Sequence, residues 1–512
     1  MSGPWWATRR FALAAVLLAA LPLIWFPLPP LTDLPVQLGR YRVMLGGDDA
    51  ELLHAFYRFE WRPIGYLGVD LLVAALAPLT GLEPAVKATV IAIPMLMTGA
   101  MLWISHEVHG RVQPMALLAL PFAYHLGFQF GFLNYSLAVA LALAGLALWL
   151  RLGRQGRIGQ RALIFTLVGA LVWTAHVFGW LILGLLAFAA EVARQRAAGH
   201  RWPIAIIRGS IGCLPLALPA IMFLGWQPGS SGTGSDWLAS LPLKPGWLVM
   251  SLRDRWRWFD VATILIVALL IYRAIRHPQY RLAMAPGLAA LLLLALFVAM
   301  PFGSAYGDAR IAPLVWIMAL LAVRSDETVP VSERAMIALV GLALLGVRTA
   351  AGTASFAMES NVWARHLAAL DHIPRGARLV SFVQVPCTPA WRLPRTVHLP
   401  SMALARRAAF ANDQPDLGSA ALLQVTMPGI TGFANDPSQI VTAAPCPETP
   451  DFRTLHQALR AVPLNRFDHV WLIDATALDR RDLVGLRVVW RRGDDFLLAV
   501  ARPRLSPGPS TD

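Results

Sequence analysis

Charge is scarce in this sequence, and lysine scarcer still. Only 14% of the 512 residues are charged, and Lys87 and Lys244 are the only lysines; an ordinary soluble domain carries about 25% charged residues. With 57% hydrophobic residues and a mean hydropathy of +0.55, the chain has more apolar surface than a water-soluble core can hide. Three cysteines, Cys213, Cys387 and Cys446, are too few for a disulfide-built scaffold. There is no paired Cys-x-x-Cys, no His-Glu-x-x-His and no glycine loop ending in Lys-Ser/Thr, which removes the commonest zinc and nucleotide-phosphate signatures. His106-Glu107-Val108-His109 has metal-like content but falls in a short loop, where solvation is the simpler reading.

What the sequence does have is a series of apolar runs separated by arginines. The net charge of +14 falls in short loops between those runs, which is the pattern of membrane anchoring rather than nucleic-acid binding. A helical span needs about 20 apolar residues. The candidates are Phe11–Leu28, Ala85–Ile104, Val112–Phe130, Leu133–Leu150, Ala162–Ala190 read as two short crossings joined near His176 and Gly179, Pro203–Leu224, Val261–Tyr272, Leu282–Met300, Ile311–Val323 and Met336–Ala350. No small-residue cleavage signature follows the first run, so it reads as a retained span. Ile64–Leu79 carries Asp70 at its middle. An acid there costs about 2.5–3.5 kcal/mol on insertion scales, so this segment reads as interfacial or re-entrant.

Eleven crossings place every strongly basic short loop on one side: Arg111; Arg151 to Arg161; Arg194 to Arg201; Arg273 to Arg281; Arg324 and Arg334. The expected fold class is therefore an α-helical polytopic membrane domain, residues 1–356, followed by a C-terminal α/β extracytoplasmic domain, residues 357–505. Residues 32–84 form a large first external loop, and 506–512 a disordered tail. In the outer domain Arg378–Val385 and His469–Ile473 read as buried strands, Ser401–Phe410 as a helix, and Leu486–Trp490 with Phe496–Ala501 as a hairpin. Cys387 and Cys446 would share an oxidising compartment, either paired or as two free buried thiols.

This topology gathers a polar set on the outer face: Asp33 after the first span; Arg40 on an amphipathic stretch; His54, Tyr57 and Arg58 further along the same loop; Asn134 and His176 at two outer breaks; Asp308 and Arg310 in the last outer loop. Each residue has a plainer reading. Asp33 can cap the following helix. Asn134 can bond exposed backbone at a break. His176 can bond a carbonyl in an apolar run. Arg310 can pair with Asp308 or reach headgroups. The coincidence of four loops carries more than any one residue, because ionisable groups near bilayer depth are costly and mark sites.

The layout resembles the GT-C superfamily of integral-membrane glycosyltransferases. The resemblance rests on an acid, Asp33, opening a large first external loop; on Arg62-Pro63-Ile64-Gly65-Tyr66 and Leu79 to Ala85 before the next span; on short spans with outer breaks; and on a soluble domain at the end. The nearest likeness is to bacterial members with a Gly-Phe-Leu-Asn-Tyr/Phe break, here Gly131–Tyr135, and a central histidine, here His176. The resemblance implies a polyprenyl-phosphate sugar as donor, a lipid, glycan or protein acceptor, inversion at the sugar carbon, and an inner-membrane location with the N-terminus cytoplasmic and the C-terminal domain periplasmic. Asp33 would be the base; Arg40, Arg58 and Arg310 would hold the donor phosphate; His54, Tyr57, Asn134, His176 and Asp308 would orient substrate. Many members carry a second acid where this chain has Asn134, so the resemblance implies no cofactor, with a divalent cation the one alternative left open, and no nucleic acid. The alternatives are a non-catalytic membrane scaffold in envelope assembly and a transporter. The latter is disfavoured because no internal repeat is visible and the polar groups gather at one face.

Overall fold

The computed structural model describes residues 4–224, 241–300, 306–326, 328–416, 418, 421–476 and 478–501. The expected tail lies outside them.

The membrane domain is a helical bundle: α1 Arg9–Leu18, α2 Leu34–Leu45, α3 Gly68–Thr80, α4 Leu82–His109, α5 Leu133–Arg154, α6 Ile158–Ala175, α7 Val177–Ala197, α8 Trp202–Gly212, α9 Arg257–Arg276, α10 Met284–Ala299, α11 Gly307–Ala322 and α12 Val331–Leu367. Six of the described helices are long and apolar enough to cross a bilayer, and α8 with the following turn, bent by 52°, makes a seventh. The eleven crossings expected also counted shorter apolar segments, such as α10, that fall below that length. Leu163, Leu167 and Leu171, spaced four apart on α6, are 72%, 69% and 58% exposed; such a stripe is covered by lipid rather than water.

Two expected segments take different forms. Val112–Phe130 is not one α-helix. Pro114–Tyr124 forms a 3₁₀ helix, followed by a short α-helix Leu126–Phe130. Pro114 and Pro121 supply no backbone N–H, and at about 2 Å rise per residue the tighter helix covers much of a bilayer in few residues. The 3₁₀ segment is buried along Pro114–Ala123, at the centre of the core formed by α4, α5, α7, α11 and α12. Ile64–Leu79 is helical from Gly68 onward as α3, and its mid-run acid is neutralised: Asp70, fully buried, lies 2.9 Å from Arg40 on α2.

The C-terminal region forms a six-stranded mixed sheet, in the order β7-β6-β4-β8-β10-β9, from β4 Leu379–Val385, β6 Ile440–Thr442, β7 Arg453–Thr454, β8 His469–Ile473, β9 Leu486–Arg492 and β10 Asp495–Val500. Strand β4 runs parallel to β6 and β8; β10 runs antiparallel to β8 and β9. The expected strands and hairpin are present, and the helix falls at α13 Ser401–Arg407, with α14 Leu455–Ala461 further on. Cys387 and Cys446 form a disulfide.

Helix α12 runs without a break through residue 356 and carries the chain into this domain. The first loop is joined to it as well: β1 Tyr57–Phe59 pairs with β5 Leu423–Val425, and the Tyr57 hydroxyl donates to the Ala411 carbonyl at 3.0 Å and accepts from the Ala411 amide at 2.8 Å.

Charge sorts the two ends of the bundle. Arg154 pairs with Glu107 and Arg161 with Glu191. Arg273 pairs with Glu333. The short ladder of β2 Tyr280–Leu282 with β3 Val323–Ser325 sets Arg281 beside Arg324. His109 reaches the Leu321 carbonyl at 2.9 Å. The basic loops therefore meet at one end.

Candidate functional site

At the opposite end the chain between α1 and α2 passes under the break between Phe130 and Leu133. The Asp33 amide donates to the Phe130 carbonyl at 2.8 Å. Gly131 permits this approach: it sits at φ +92°, and a side chain there would meet Asp33 backbone at about 3.1 Å. Asp33 precedes α2 but makes no side-chain cap bond, so its carboxylate is not spent on the helix.

Asp33 instead faces residues that the sequence reading missed. His398, from the C-terminal domain, places Nε2 3.7 Å from an Asp33 oxygen. Asp436, whose carboxylate accepts from Gln439 at 2.7 Å, and Arg310, at the start of α11, both act on Asp33 through charge. Burial pushes the Asp33 carboxyl up to about 6; His398 and Arg310 oppose that rise and Asp436 adds to it. Asp413 behaves alike, raised to about 6 by burial against the pull of His398 and two bonds from Ser401 at 2.9 and 2.6 Å.

Arg310 has unusual company. Its guanidinium lies 4.9 Å from the Phe132 ring centre, 5.4 Å from Tyr135 and 5.2 Å from Phe178. Among the described residues no carboxylate pairs with it, and its Nε is buried without a partner. Phe130, Phe132 and Tyr306 form an aromatic cluster beside it, with ring centres 5.7–6.3 Å apart.

The remaining expected residues go elsewhere. Asp308 does not meet Arg310; it pairs with Lys244 at 2.5 Å, both buried. Arg40 is held by Asp70 and by Gln37 at 2.8 Å. Asn134 accepts from the Val69 amide at 2.6 Å and donates to Asp70 and to the Tyr66 carbonyl, fixing the start of α3. His176 accepts from the Phe178 amide at 3.0 Å and packs edge-on against Tyr66 and Tyr135. Arg58 is exposed and pairs with Glu60, His54 is exposed, and Tyr57 is used to dock the loop. Of the nine residues expected at the site, the geometry brings Asp33 and Arg310 within electrostatic range of each other, while His176 packs on Tyr135 beside Arg310 and Asn134 fixes the start of α3. His398, Asp413 and Asp436 lie far along the chain from any outer loop, so only folding of the C-terminal domain places them here.

These observations define an integral-membrane protein in which a helical bundle and a mixed-sheet domain meet around Asp33, with His398 at 3.7 Å and Arg310 within electrostatic range. No family model matches the chain, and no curated protein matches it. Among solved structures it is similar to the crystal structure of ArnT from Cupriavidus metallidurans in the apo state, at 13% identity and a TM-score of 0.49, over 96% of this chain and 98% of that one.

Proposed function

We propose that this protein is a membrane glycosyltransferase that moves a sugar from a polyprenyl-phosphate donor to a hydroxyl-bearing lipid, glycan or protein acceptor on the extracytoplasmic face. The observation that carries this reading is Arg310: a cation on aromatic faces, without an acid partner among the described residues, within electrostatic range of a carboxylate. A half-buried guanidinium with a buried Nε and no acid partner among the described residues has donors left for an anion, and a phosphate completes them by charge-assisted hydrogen bonds. The aromatic cluster offers faces for a sugar ring or the first isoprene units. The segregation of basic loops to the other end supports an outward-facing site.

In this mechanism Asp33 accepts the proton of the acceptor hydroxyl as the oxygen attacks the anomeric carbon. The bond from that carbon to phosphate oxygen breaks in the same displacement, so configuration inverts. Arg310 stabilises the negative charge left on the polyprenyl phosphate. A carboxylate with a pKa near 6 is ionised at neutral pH yet basic enough to share a proton in the transition state.

The test is twofold. Membrane glycolipids and glycans of a deletion strain are compared by mass spectrometry with those of the parent, and complementation is attempted with wild type and Asp33→Asn. Loss of one sugar, restored by wild type and not by Asp33→Asn, supports the reading. Unchanged glycans would favour a non-catalytic scaffold of the same architecture, and full restoration by Asp33→Asn would remove Asp33 as the base.

A further inference from the structure

A second group of ionisable side chains lies where the last turns of α12 meet the mixed sheet. His366 is on α12, Asp495 opens β10, and Asp474 follows β8 directly. The three come together because β8 and β10 are paired. The Asp474 amide donates to one Asp495 oxygen at 2.9 Å, and the other Asp495 oxygen lies 2.6 Å from His366 Nδ1. One ligand atom from each of the three lies within 4.8 Å of the others.

In the tautomer that donates its Nδ1 proton to Asp495, Nε2 presents a lone pair. That nitrogen is buried, has no hydrogen-bond partner, and faces an Asp474 oxygen at 3.9 Å. The gap is too long for a hydrogen bond. A tetrahedral zinc ion bonded to both atoms would hold them roughly 3.4 Å apart, a small closure that the exposed Asp474 side chain can make. Two electron-rich atoms facing each other across the gap call for a positive charge between them. A carboxylate holding the far nitrogen of the ring is also the arrangement that orients histidine ligands in metal sites. The Asp474 side chain is 54% exposed, which gives a cation a way in and leaves water free to complete the coordination. Arg365 and Arg392 act on Asp474 through charge, but among the described residues neither forms an ion pair with it.

We propose that His366, Asp474 and Asp495 form a site for a divalent transition-metal ion of the zinc class. His366 Nε2 and the Asp474 carboxylate are the direct ligands, Asp495 holds the imidazole, and water fills the remaining positions. The ion would tie the end of a long apolar helix to strands β8 and β10, fixing the C-terminal domain against the bundle. The site is separate from Asp33 and Arg310, and the proposal does not rest on the transferase reading.

The experiment uses full-length protein in detergent, purified through a tag without histidines, stripped with chelator, and titrated with zinc chloride alone. Native mass spectrometry and metal analysis give stoichiometry, and thermal unfolding gives the shift on binding. The expected result is one zinc per chain with a raised unfolding temperature. Binding should be lost or weakened at least tenfold in Asp474→Asn and His366→Gln, and weakened about 10- to 100-fold in Asp495→Asn. Asp474→Asn is the deciding variant, because its exposed side chain can change without disturbing the core. Absence of a bound equivalent overturns the proposal, as does unchanged affinity in Asp474→Asn. So does a pH titration showing His366 as an imidazolium shared by both carboxylates in the presence of zinc.

Discussion

At the basic end of the bundle Arg161 lies 2.9 Å from Glu191, with both side chains buried, and Arg154 lies 2.5 Å from Glu107. At the opposite end the Arg310 guanidinium lies over aromatic faces with no acid paired to it among the described residues, and Asp33 meets an imidazole at 3.7 Å. The same residue types are thus used in two ways. Paired charges satisfy each other and hold helices together. Charges kept apart, each partly desolvated, retain an electrostatic demand that a ligand can meet. The contrast also separates Arg40 from Arg310: both lie at the site end, but Asp70 has already answered Arg40.

The sharpest way to break this contrast is at Asp33. Asn in its place is expected to cut sugar transfer by about 10²–10⁴-fold, the usual range for a general base, measured in proteoliposomes with a polyprenyl-phosphate sugar. A fall of less than tenfold would leave the carboxylate without a chemical role. Next comes a pair at the basic end. Glu191→Ala strands Arg161 in a buried position and is expected to cost about 3–5 kcal/mol in unfolding stability, read by thermal or denaturant unfolding in detergent, while leaving the outer cleft intact. Arg310→Ala should do the reverse. It orphans no acid, so stability should change by under about 1 kcal/mol, whereas donor affinity should fall by about 1.5–3 kcal/mol, the worth of a charge-assisted bond. Equal stability losses in the two variants would erase the distinction between paired and waiting charges.

A pH comparison sharpens the same point. The Asp33 carboxyl titrates near 6 in the folded protein, above its ordinary value of 3.8. The folded state therefore binds the proton more tightly than the unfolded state, and stability is lost as pH rises from about 4 to 6. Asp33→Asn should unfold with the same midpoint as wild type below pH 4 and be more stable above pH 6, by on the order of 1–3 kcal/mol. Transfer by the wild type should rise from about pH 5 to 7 as the base ionises around pH 6. The smallest effect is expected at Arg58, which is exposed and pairs with Glu60 on the surface. Arg58→Ala should change stability by less than about 1 kcal/mol and leave transfer unchanged. A large loss of transfer there would return Arg58 to the phosphate cradle.

Much of the architecture could be read from residue order. Apolar runs mark helices because a bilayer rewards about 20 such residues in a row, and α4, α5 and α7 fall where those runs lie. The split at His176 was legible because a polar residue interrupts the run, and α6 and α7 part there. The strands β4 and β8 announced themselves by continuous apolar residues bounded by turn signals. The 3₁₀ form of Pro114–Tyr124 was not legible, although its two prolines were a signal against a regular α-helix. By residue order Asp70 is an obstacle to burial, because its partner, Arg40, lies 30 residues away.

The candidate site was legible only in half. Asp33 and Arg310 stand beside apolar runs, where an ionisable group is conspicuous. His398, Asp413 and Asp436 stand in a soluble domain, where such residues are ordinary and nothing in their spacing points to a cleft. The amino-acid sequence alone determined which segments prefer lipid, where the arginines collect and which acid opens the first loop, because hydropathy and loop charge act locally. Only the tertiary structure decided which charges are paired and which are left waiting, because ion pairing is settled by a few ångströms between groups dozens to hundreds of residues apart.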